Sequence, residues 1–72
     1  VSSQEYKMQV IGASRRVETV ITEISLTKDR SEVFDFERRA MEAASALRSP
    51  DRQRLEEQTQ DAVAARLQQD ET

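Results

Sequence analysis

Over the first third of the chain, hydrophobic and polar positions follow two incompatible rhythms. Residues 5–11 read with period two, Tyr6, Met8 and Val10 against Lys7 and Gln9. Residues 17–27 (VETVITEISLT) are crowded with Val17, Thr19, Val20, Ile21, Thr22, Ile24 and Thr27, β-branched side chains whose stiffness suits a pleated, half-buried surface. Between the two runs stands GASRR, residues 12–16, which contains the chain's only glycine. This pattern predicts a β-hairpin over residues 5–26 turning near Arg15. Val10 then lies opposite Val20, Met8 opposite Thr22 and Tyr6 opposite Ile24, so one face collects most of the apolar groups.

The competing rhythm is helical. Tyr6, Val10, Ala13, Val17, Val20 and Ile24 recur at steps of four and three, and Ser2 with Glu5 has the spacing of a capping box. A single long first helix, and hence an all-α three-helix bundle, is the alternative. The glycine decides for the hairpin: inside a helix it costs about 1 kcal/mol relative to Ala, whereas in a turn it supplies a positive φ without steric penalty.

The rest of the chain reads as helix. Asp29 or Ser31 can cap a core helix over residues 32–48, on which Val33, Phe36, Ala40, Ala43, Ala44 and Leu47 share one side. Phe36 and Leu47 are its expected core anchors, and Phe34 with Met41 flank the stripe. Ser49-Pro50 ends that helix and opens an acidic one over residues 50–69, because proline is tolerated only in a first turn. Its apolar stripe, Leu55, Val63 and Leu67, is sparse enough to predict a helix that extends into solvent or packs on another molecule. Residues 1–4 are expected to fray, and 70–72 to form a disordered tail. The expected architecture is therefore α+β, a β-hairpin followed by two helices (ββαα), in one domain spanning residues 1–72.

Composition limits what such a domain can do. Seventy-two residues with three aromatics and no Cys cannot build a large interior or staple a small one, so further burial is expected from a protein partner or a second copy in a homodimer. Without His or Cys, two common routes to a neutral-pH base or an activated nucleophile are closed, and no enzyme is expected. No zinc ligand set, calcium loop or Gly-rich phosphate loop occurs, so no metal or cofactor is expected either. No apolar run approaches the roughly 20 residues of a membrane span, and no signal-peptide pattern opens the chain, which predicts a soluble, cytoplasmic protein without membrane contact.

Charge supplies the candidate site. The net charge is −3, yet arginine outnumbers lysine nine to two. Arg15 and Arg16 fall at the expected hairpin tip, and a second belt (Arg38, Arg39, Arg48, Arg52, Arg54) surrounds the middle helix and the break after it. The expected partner-binding set is Arg15, Arg16, Arg38, Arg48 and Arg52 for charged contacts, with Phe34 and Met41 for apolar ones. Helical spacing also predicts local pairs between Arg38 and Glu42 and between Arg52 and Glu56. The function this implies is that of a small regulator or adaptor on a larger protein or assembly, comparable in size and composition to phage-encoded inhibitors of host machines such as RNA polymerase. A nucleic-acid-binding regulator using the arginine belt is the second reading, disfavoured by the acidic balance and by the lack of an aromatic between the arginines to stack a base. A helical oligomerisation module is the third.

Overall fold

The computed structural model describes residues 2–71, with side chains to Gln69. Three helices account for it: α1 (Ser3–Leu26), α2 (Arg30–Ala44) and α3 (Ser49–Glu71). There is no strand among the described residues, so the hairpin over residues 5–26 is overturned and the all-α alternative describes the fold.

The helical seam wins because it continues without interruption. Ala13, Val17 and Ile24 are buried and Tyr6, Val10 and Val20 half-buried, a stripe that a 3.6-residue period lays on one side of a rod. The period-two reading would have turned Ile11 and Ile21 away from that core. The β-branched residues are accommodated in part by back-bonding: the hydroxyls of Thr19 and Thr22 donate to the carbonyls of Arg15 and Glu18, each at 3.0 Å. Gly12 adopts no positive φ, and a Cβ placed on it would meet nothing within 4 Å. It is an ordinary helical residue, and the turn inferred from it is absent.

The helix ends are built by short polar side chains. The Ser2 hydroxyl accepts from the Glu5 amide at 3.1 Å, so residues 2–4 form a capped start in place of the expected frayed end, while Val1 lies outside the described residues. Thr27 closes α1, its amide donating to the Glu23 carbonyl at 2.8 Å. Asp29 caps α2, its carboxylate accepting from the Ser31 amide at 2.9 Å and the Ser31 hydroxyl at 2.7 Å. Helix α2 therefore starts two residues earlier than the 32–48 reading and ends at Ala44. Leu47 is buried in the turn that follows, whereas Phe36 is only half-buried. Helix α3 includes Ser49 and Pro50, its first bond running from the Arg52 amide to the Arg48 carbonyl at 2.9 Å. It continues through Glu71, beyond the expected end at residue 69; the side chains of 70 and 71, and all of Thr72 in the expected tail, lie outside the described residues.

Two short connections make successive helices antiparallel, so α1 and α3 run parallel with α2 between them in direction. The body measures 47 × 17 × 13 Å. Its core has two clusters, one of Ala13, Val17, Ala40, Ala44, Leu47 and Leu55, the other of Ile24, Val33 and Val63. Leu55, Thr59 and Val63 of α3 are all buried, which corrects the expectation of a helix in solvent or on another molecule. The sparse stripe suffices because it meets the alanines of α2 and the small residues of α1, where helix axes can approach closely. At the far end the Arg66 guanidinium donates to the Thr27 carbonyl at 2.9 Å and ties α3 to the first connection.

Candidate functional site

Because α1 is a helix antiparallel to α2, arginines distant in sequence meet. Arg15 and Arg16 rise from the middle of α1 and Arg39 from the facing turn of α2, around an open groove of about 460 Å³ whose lining includes Val20 and Ala43. Thr19 and Glu42 complete it. The groove continues along the same helix pair toward Gly12, Ala46 and Leu47, sharing Arg16 and Ala43. Its floor is small and apolar because the α1–α2 contact is built on alanine, and its rim is cationic.

The rim charges are not consumed internally. Among the described residues Arg15 and Arg16 make no ion pair, and Arg39 has only a cation–π contact, its guanidinium 5.4 Å from the centroid of Phe36. All three are exposed, as is Glu42. The Thr19 hydroxyl proton is committed to the Arg15 carbonyl at 3.0 Å, leaving its lone pairs for a ligand. Guanidinium groups in this arrangement bind carboxylates bidentately and orient them. Neither His nor Cys is among the residues that line the groove.

The other expected site residues go elsewhere. Phe34, Arg38 and Met41 share one face of α2 at helical spacing, with Phe34 and Arg38 exposed and Met41 half-buried; Arg38 pairs with Asp35 at 3.8 Å rather than with Glu42. Arg52 is half-buried at the start of α3. It forms no ion pair with Glu56 among the described residues, and the pair formed there is Arg54 with Asp51 at 3.5 Å. Arg48 makes two contacts within the chain: its guanidinium lies 4.3 Å from the Tyr6 ring centroid and its amide donates to the Tyr6 oxygen at 2.8 Å. That oxygen in turn donates to Asp51 at 2.7 Å. Partial burial, with the bond to Asp51, raises the Tyr6 pKa above its ordinary value.

Arg39 is the residue that the expected set lacked. Its place in the sequence put it in a belt with Arg38, but the two point 100° apart on a helix, and only knowledge of α1 separates the groove residue from its neighbour. Among the described residues no three acidic side chains converge as a metal site would require, and no helix is long and apolar enough to cross a membrane. Compared with known proteins, the chain matches no family model, no curated protein and no solved structure.

Proposed function

We propose that this chain is a non-enzymatic protein-binding module, a small cytoplasmic regulator or adaptor that takes an acidic segment of a larger protein into the α1–α2 groove. The observation that carries this reading is the convergence of Arg15, Arg16 and Arg39 on one groove with an apolar floor. Three like charges held together without internal partners weaken the fold slightly, and carboxylates from outside relieve them. A protein segment fits better than nucleic acid: the chain as a whole is acidic, its one tyrosine is engaged with Arg48 and Asp51, and no aromatic residue lines the groove.

The test is affinity purification with the wild-type chain beside Arg15→Glu/Arg16→Glu, Arg39→Glu and Arg38→Glu variants, followed by mass spectrometry and direct titration of the captured protein. The first two variants are expected to lose the partner without a change in melting temperature; Arg38→Glu, on the other face of α2, is expected to keep it. Equal loss in all three would show a diffuse charge effect in place of a groove. Tight binding of random duplex at low salt, abolished by the same variants, would turn the reading to nucleic acid.

A further inference from the structure

Helix α1 carries a second stripe that the fold does not use. Three of the four large hydrophobic residues exposed in the described chain belong to it: Met8 at 65%, Ile11 at 47% and Leu26 at 75%. With Gly12, Arg15, Thr19 and Thr22 they occupy positions 8, 11, 12, 15, 19, 22 and 26, a single band within about 60° of one line along the helix. That line is opposite the one that buries Ala13, Val17 and Ile24. An outward face is ordinarily the most charged part of an amphipathic helix; here Glu5, Glu18 and Glu23 are displaced to the flanks and Arg15 is the one charge in the band. Gly12 within it serves nothing inside the chain, having neither a positive φ nor a neighbour that a Cβ would strike. A backbone approaching from outside would give the absence of a side chain a use.

We infer that this band is the interface of a homodimer, with α1 of a second copy lying antiparallel across a two-fold axis at the level of Val17. The band is self-complementary in that arrangement. Met8 falls opposite Leu26, Gly12 opposite Thr22 and Arg15 opposite Thr19, each pair equidistant from position 17, so the two apolar ends meet and the glycine receives a β-branched residue, while Ile11 comes level with Glu23 at the edge of the band. A two-fold axis brings like flanks together, and one flank carries both Arg16 and Glu23, so opposite charges share that edge of the interface, about five residues apart along the helix. Parallel pairing would instead stack Arg15 on Arg15.

The inference rests on the band alone and not on the proposed acidic partner, although the two surfaces share Arg15, Thr19 and, where the groove continues, Gly12.

The experiment is sedimentation equilibrium of the full chain from about 1 to about 500 µM, the range of a weak helical dimer, with disulfide trapping. The mass is expected to rise from that of one chain toward twice it. Met8→Glu and Leu26→Glu are expected to stay monomeric throughout with the helical circular dichroism of wild type, while Phe34→Glu, exposed but off the band, dimerises normally. Since the chain has no native Cys, Met8→Cys mixed with Leu26→Cys is expected to give a mixed disulfide faster than either variant crosslinks with itself. A wild-type monomer at every concentration would overturn the inference. So would a dimer that survives both glutamate variants, or Met8→Cys preferring its own kind.

Discussion

The phenolic oxygen of Tyr6 donates to Oδ2 of Asp51 at 2.7 Å, joining the first turn of α1 to the first turn of α3 across 45 residues of chain. The same oxygen accepts the Arg48 amide at 2.8 Å, an N–H left without a helical partner where α2 has ended and α3 has not begun. With the Arg48 guanidinium over the ring, one side chain fixes both the turn and the direction in which α3 leaves it.

Tyr6→Phe keeps the ring and its cation–π contact but removes the hydroxyl, so the Arg48 amide and Asp51 lose their shared partner. The melting temperature is expected to fall by about 5 °C, with the helical signal below the transition unchanged. Thermal denaturation followed at the helical band checks this. An unchanged midpoint would mean that water replaces the hydroxyl at no cost, and that the stacking alone holds the turn.

Two groups give stability a pH dependence of opposite sign. The Tyr6 pKa is raised by partial burial and by its bond to Asp51, so its contribution is complete below the ordinary value near 10 and is lost as pH rises through the folded-state value. The Asp29 pKa is lowered, first by the Ser31 hydroxyl and then by the Ser31 amide. Its contribution is present above the ordinary value of 3.8 and disappears as pH falls through the folded-state value. Asp29→Ala is expected to lower the melting temperature at pH 7 by about 5 °C, the effect of a lost N-cap, and to flatten the acid limb of the stability curve without touching the alkaline one. Melting curves from pH 2 to pH 11 on the Asp29→Ala and Tyr6→Phe variants separate the two limbs.

How much of this molecule can be read from its residues depends on how far each feature is local. The α2 stripe from Val33 to Ala44 and the cap at Asp29 are local, and both are where the spacing puts them. The first helix is not settled locally, because Thr19, Thr22 and Thr27 raise strand propensity while Tyr6, Val10, Ala13, Val17 and Ile24 set the seam. Propensity amounts to tenths of a kcal/mol per residue, and burying the whole seam outweighs it. The α3 stripe misleads for a related reason: Leu55 and Val63 look insufficient until Thr59 is counted as core, which its polar name conceals. Arg15 and Arg16 stand out in the sequence as a pair of adjacent cations, but their convergence with Arg39 is a property of two helices side by side and is written in neither.

Among the described residues Thr59 is the one polar residue in the buried set, at 1% exposure, and its hydroxyl donates to the Leu55 carbonyl at 2.8 Å. That carbonyl already serves the helix ladder, so removing the hydroxyl leaves no orphaned group behind. Thr59→Val, of nearly the same shape, is expected to change stability by less than about 0.5 kcal/mol or to raise it. Thr59→Ala also deletes a packed methyl group and is expected to cost about 1 kcal/mol. Urea denaturation of both variants decides the matter; a large loss on Thr59→Val would show that the hydroxyl makes a contribution beyond satisfying itself.

Gly12 provides the sharpest distinction, because the two readings of residues 5–26 give opposite signs there. In a hairpin turn with positive φ, Gly12→Ala would strain the backbone and destabilise the protein. In α1 the φ is helical and the added methyl enters open space, while the unfolded chain loses conformational freedom. Gly12→Ala is therefore expected to stabilise the chain by about 1 kcal/mol, raising the melting temperature by about 4–8 °C. That measurement belongs at micromolar concentration, where chains are separate. At the highest attainable concentration the same methyl is expected to hinder close approach of a second α1, so self-association should weaken while the individual chain becomes more stable. A variant that melts higher and associates less would separate what the fold requires at position 12 from what a neighbour requires there. A variant that melts lower would remove the helical account of α1 itself.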